Sequence, residues 1–216
     1  MKTNILAYIA LIFFLLLFAA DKQLGFFIFT CIVLFITLLY HLVNNKYTPD
    51  KIILIAILTA IATIGRVLFA FIPSFQLASF VIIISGIVFG PAISFVTGIL
   101  TAIMSNFFQG QGIWTIWQMF CFGLIGLFSG LFAASLKKNK IWRSIFGLVC
   151  GIAFGWIMNL MMLIQINNFS FANVLAIYSM SLIFDLIHGI TNALLLFLIG
   201  DVCIKKFDAL KSKIQL

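Results

Sequence analysis

LASFVIIISGIVFGPAISFVTGILTAIMSNF, residues 77–107, holds no ionisable side chain, and its apolar positions do not alternate strictly with polar ones. A strand of a membrane barrel alternates lipid-facing with lumen-facing residues, so this stretch is not one. In lipid the backbone must satisfy its polar groups within the segment, and a long apolar run therefore folds as helix. Gly90-Pro91 divides the stretch into 77–89 and 91–107, because proline removes a backbone donor and clashes with the preceding turn. A perpendicular span needs about 20 residues. The shorter first piece is therefore expected to make the pair tilted, kinked or partly re-entrant.

The same character runs through the whole chain. Of its 216 residues 64% are hydrophobic and 8% charged; there is no Glu and there are five Asp. A soluble domain carries roughly a quarter charged residues, so a bilayer must act as solvent for this one. Eight apolar runs stand out, at 4–20, 25–43, 52–72, 77–89, 91–107, 113–136, 143–165 and 174–199. The first follows Lys2 and ends Phe18-Ala19-Ala20-Asp21. It lacks a small-x-small cleavage site and reads as a retained helix. The expectation is an all-α membrane protein of about eight spans.

The net charge of +8 does not point to nucleic acid, because the basic residues sit in short hydrophilic gaps where topology signals belong. Lys137, Lys138, Lys140 and Arg143 fill the gap between the sixth and seventh runs, and Lys205, Lys206, Lys211 and Lys213 the C-terminal tail. Two gaps separated by one hairpin share a side, which the positive-inside rule makes cytoplasmic. Counting back puts Lys46, Lys51 and Lys2 on that side too, eleven of the thirteen basic residues. Both termini are then cytoplasmic. The cysteines, Cys31, Cys121, Cys150 and Cys203, show no CxxC spacing or histidine clustering and read as small buried hydrophobes, not metal ligands.

With so little charge elsewhere, the remaining polar residues are informative. The topology assigns Arg66, Gln76, Asn106, Gln109, Gln111, Trp114, Trp117, Gln118, Asn159, Asp185, His188 and Asn192 to the outer half of the membrane. An ionisable residue in a span is costly and marks a functional site by default. Asp185, His188 and Asn192 at i, i+3, i+7 share a helical face. An Arg66–Asp185 pair that merely pins two helices is the plainer alternative. Two glycines flank Gln111 and allow a close backbone approach. Trp114, Trp117 and Gln118 then offer the aromatic walls and directed polar groups of an organic-ligand pocket, although Trp114 fits an interfacial aromatic belt equally well. Small residues at spacing four, Gly147-Gly151-Gly155, Gly126-Gly130 and Ala56-Ala60, mark faces where helices touch. No Walker A loop, HExxH, GxSxG or serine–histidine pair at a recognisable spacing is present. No inverted pair of broken segments suggests a secondary transporter. A metal site would want more ligands than His188 alone.

Several stretches resemble the substrate-binding S components of energy-coupling factor (ECF) importers. These are Ala60 to Arg66, Ile72 to Gln76, Gly86 to Pro91, Ser105 to Met119 and Phe184 to Asn192. The segment Gly110 to Gln118 is most similar to the cobalamin-type subgroup. The chain departs from that pattern at Ile113, where a proline is usual, and at Leu77-Ala78, where Pro-Val is usual. The resemblance covers about residues 52–200 and implies a six-helix substrate-binding core there; the apolar runs within 1–45 read as two further transmembrane helices outside that core, and 201–216 as a basic cytoplasmic tail. It implies a multi-pass protein of the bacterial plasma membrane that captures a vitamin, cobalamin or a related corrinoid, from outside. The polar and aromatic residues above would then bind substrate. It further implies a membrane scaffold subunit and two ABC-type ATPases as partners, with the scaffold contacting Ala56 and Ala60, and no catalytic residues or cofactor. Another vitamin or micronutrient is the alternative ligand. A membrane-embedded lipid-modifying enzyme using Asp185 and His188 as an acid–base pair, or an ion-driven transporter, are the alternative classes.

Overall fold

The computed structural model describes residues 48–166 and 169–213. Eight helices fill them, and no strand occurs among the described residues. They are α1 Pro49–Leu68, α2 Leu77–Phe89, α3 Pro91–Gln109, α4 Trp114–Leu131, α5 Ala133–Lys138, α6 Lys140–Gln165, α7 Phe171–Leu198 and α8 Gly200–Lys213. Five of them, α1, α3, α4, α6 and α7, are long and apolar enough to cross a membrane. The runs at 4–20 and 25–43 lie outside the described residues.

The divided stretch behaves as its sequence requires. Gly90, at φ 91°, separates α2 from α3, and Pro91 opens α3 where its missing N–H costs nothing. Only 13 residues long, α2 is buried over all but its first residue. It forms the centre of the bundle rather than a lipid-facing span, which explains a segment apolar on every side. Ser85 and Ser94 meet across the break, their hydroxyl oxygens 2.8 Å apart and each 2.7 Å from the Ile82 carbonyl oxygen they share.

Glycines set the helix spacing. A Cβ on Gly98 would strike the Phe122 backbone, one on Gly126 the Ser94 backbone, and one on Gly130 Pro91, so α3 and α4 approach backbone to backbone. The stripe Gly147, Gly151, Gly155 does the same for α6 against α7: Gly151 meets the backbone of Gly189, and Gly155 leaves room for the Asp185 carboxylate. These are the close contacts expected of small residues spaced by four.

At the end of the bundle where α1 begins, the structure differs from the sequence reading in three places. The run 113–136 is broken at Phe132 into α4 and α5. Helix α6 starts at Lys140, where Asn139 caps it by accepting from Ile141 and Trp142 N–H, so Arg143 is not a gap residue. Its side chain is fully buried. It donates to the carbonyls of Leu136 and Leu196 and pairs with Asp201. The reason is local: α5 and the end of α7 each leave a carbonyl, and the start of α8 a carboxylate, facing α6, and a guanidinium satisfies all of them at once. The residues after 200 form a helix that lies back on α2, with Phe207 on Phe89, Lys211 donating to the Val88 carbonyl at 2.7 Å, and Lys137 bridging to Asp208.

Candidate functional site

At the other end of the bundle, α1 stops, α2 starts, and the α3–α4 loop closes. Gly65 on α1 packs against Leu77 on α2 so tightly that a Cβ would come within 2.8 Å of the leucine Cβ. The neighbouring residues in the chain, Arg66 and Gln76, are thereby brought to one place. Arg66, 5% exposed, donates through Nη1 to Ser105 Oγ and to Asn106 Oδ1. Asn106 passes the network on, donating to Thr115 Oγ1 at 2.9 Å and to Gln118 Oε1 at 2.7 Å. Thr115 donates to Gln111, whose amide reaches the Ile103 carbonyl, and Gln109 donates to the Arg66 carbonyl. Gly110, at φ 103°, makes the turn that lets α3 and α4 present these side chains to one another.

A second polar cluster sits on the α6–α7 hairpin. Asn159 donates to Ser181, and Ser181 to the Asp185 carboxylate at 2.9 Å. His188 shares a 2.8 Å hydrogen bond with Ser79 of α2. An aromatic ladder joins the two clusters across the bundle. The Arg66 guanidinium lies 5.3 Å from the Phe122 ring centroid, Phe122 is 4.8 Å from Phe154, and Phe154 meets the edge of His188 at 5.2 Å. Cation–π and edge-to-face contacts of this kind suit a dry interior.

The structure thus connects Arg66, Asn106, Gln109, Gln111 and Gln118 in one network, with Gln76 beside it through the α1–α2 contact. It brings Asn159, Asp185 and His188 to the facing hairpin. Trp117 is buried, whereas Trp114 is 41% exposed and donates within its own turn, to the Gly110 carbonyl. Asn192 stands apart. At 1.5 Å per residue it is about 9 Å from the far end of α7 and about 31 Å from its start. It packs against Gly147, one turn along α6 from Arg143. Its side-chain amide is buried without a hydrogen-bond partner among the described residues, so it joins neither polar cluster. The Arg66–Asp185 pair does not form: Arg66 has neutral partners, and Asp185 is held by Ser181. Asp185 and His188 likewise have separate partners, so they do not form a dyad. Among the described residues no group of three His, Cys, Asp or Glu could hold a metal.

Sequence reasoning passed over Ser79, Ser105, Thr115 and Ser181, which carry the network, and Phe122 and Phe154, which join its halves. A signal existed for the hydroxyls: each lies within a turn of a polar residue already singled out. Ala56 and Ala60 lie on the outer face of α1, exposed among Ile52, Ile53, Ile57, Ile61 and Ile64. An apolar cavity of about 400 Å³ between α4 and α6 is lined by residues such as Leu124, Phe128, Val149 and Phe154, the last of which it shares with the aromatic ladder.

Residues 50–200 match the family described as ECF transporter, substrate-specific component. No curated protein and no solved structure matches the chain.

Proposed function

The chain belongs to the family of substrate-specific components of ECF transporters, and from that premise we propose that it binds a vitamin at the Arg66 end of the bundle. That end is taken to face outward, because the basic residues collect at the opposite one. The ligand proposed is cobalamin or a related corrinoid, on the resemblance of Gly110 to Gln118. The single observation that supports the binding site is the unbroken polar network from Gln111 through Asn106 to Arg66, linked through Phe122 and Phe154 to His188 in an otherwise apolar bundle. Polar groups in a membrane protein interior are expensive to maintain. A ligand with several hydrogen-bonding groups gives each of them a use.

The exposed Ala56–Ala60 face of α1 is proposed as the contact for the scaffold subunit, where small side chains permit close helix packing. Two ATPases bound to that scaffold would supply the energy, since the chain carries no phosphate-binding loop of its own. The direct test is titration of the purified full chain with cobalamin. Saturable binding with a stoichiometry of about one is expected of a single site, and an absence of binding by any corrinoid overturns the ligand assignment. Failure of the chain to co-purify with a scaffold subunit and ATPases would overturn the partnership.

A further inference from the structure

Two guanidinium groups are buried in this bundle, and they are neutralised differently. Arg143 has a carboxylate, Asp201, and two carbonyls. Arg66 has none: among the described residues the ion pairs are Lys137–Asp208 and Arg143–Asp201. Its partners are a hydroxyl, a side-chain amide oxygen and the face of Phe122, all uncharged. Its Nε is buried without a hydrogen-bond partner, and so is Oε1 of Gln76, which precedes the Leu77 that packs on Gly65. Its place in the last turn of α1 offsets part of the charge through the helix dipole. That effect is small against the cost of taking an ion out of water.

We infer that Arg66 is the counter-ion site for an anionic group of the transported ligand, a carboxylate or a phosphate ester, with the Gln76 side-chain oxygen accepting from a donor group close to it. This rests on the binding function proposed above and adds the charge of the ligand to it. The geometry suits the role. A guanidinium presents Nε–H and a terminal N–H as a planar fork that an anionic oxygen pair matches. Ser105 and Asn106 hold the group from the Nη1 side and leave Nε free. For a corrinoid the anion is the phosphodiester of the nucleotide loop.

The inference is tested on the purified full chain in lipid nanodiscs, by thermal shift and titration with matched probes: cobalamin and cobinamide, biotin and biotinamide, pantothenate and panthenol, nicotinate and nicotinamide. Charged hydrogen bonds of this kind correspond to about 10- to 100-fold in affinity. The binding pair is expected to favour its anionic member by that factor in the wild type. Arg66→Gln should abolish the preference, and Arg66→Lys should retain part of it. The wild-type preference is read without any variant, so poor folding of Arg66→Gln leaves the test intact. Equal binding of the neutral member, or an undiminished preference in Arg66→Gln, overturns the anion site while leaving the binding function standing. Absence of binding by every probe, together with no small molecule extractable from the purified chain, removes the binding function and the inference with it.

Discussion

Single residues carry the site because each polar side chain stands out against a lipid-like background. Gln118 and Asp185 occupy the two facing clusters, one accepting from Asn106 and the other from Ser181. Replacing either by alanine is expected to weaken ligand binding by about 10-fold or more, as loss of a hydrogen bond to a buried partner does. Membrane insertion and yield should be unchanged, as fluorescence-detected size exclusion would show. Unchanged affinity in both variants would remove the proposed binding site. At the opposite end, Asp201→Asn leaves Arg143 buried without its carboxylate. A loss of about 1–3 kcal/mol of stability is expected, below the 3–5 of a fully buried pair because the Asp201 side chain is 60% exposed. A thermal midpoint equal to wild type would contradict the role given to that pair. Arg66, Asn106 and Gln118 were legible in the sequence, since charge and amides are rare in apolar runs. Ser79, Ser105, Thr115 and Ser181 were marked only by lying within a turn of those residues, because a helical hydroxyl ordinarily bonds back to its own backbone, as Ser105 also does to Thr101. Arg143 was misread because flanking lysines gave it the look of a loop residue.

Elements meet on surfaces that small residues prepare. Along α6 the glycine stripe seats α7, and a larger side chain at Gly151 would collide with the Gly189 backbone. Gly151→Leu should therefore separate the hairpin and lower the thermal midpoint by several degrees. Leu at Val149, 56% exposed on the same helix, should leave it unchanged and serves as the control. Gly155→Ala strikes the Asp185 carboxylate and should impair binding more than stability. On α1 the outward face is a different kind of surface. Ala56→Leu or Ala60→Leu is expected to spare ligand affinity and to abolish transport; uptake at wild-type rate would place the coupling face elsewhere. Among the described residues, the helices of the apolar runs and most of their boundaries followed from those runs and from Gly90-Pro91 and Gly110. The break at Phe132 did not, since the run 113–136 carries neither proline nor a terminal glycine there and the interruption is made by packing of α5 on α2 and α6. The helicity of the basic tail was hidden too, because it depends on Phe207 and Lys211 finding α2.

Across the whole molecule, the two ends have opposite characters. One gathers lysines, buried Arg143 and the returning helix α8; the other gathers uncharged polar groups around Arg66, with Asp185 and His188 facing them. This asymmetry is what a binding subunit requires if ligand is taken at one face and force applied from the other. Ligand affinity and transport are then separable, and an ATP-hydrolysing partner is obligatory. The most direct measurement is uptake of labelled cobalamin into proteoliposomes containing the chain, alone and with an ECF scaffold and its two ATPases. The account predicts binding by the chain alone, and accumulation only with the complete module and ATP. Accumulation by the chain alone under an ion gradient, or none when the assembled module hydrolyses ATP, would contradict it.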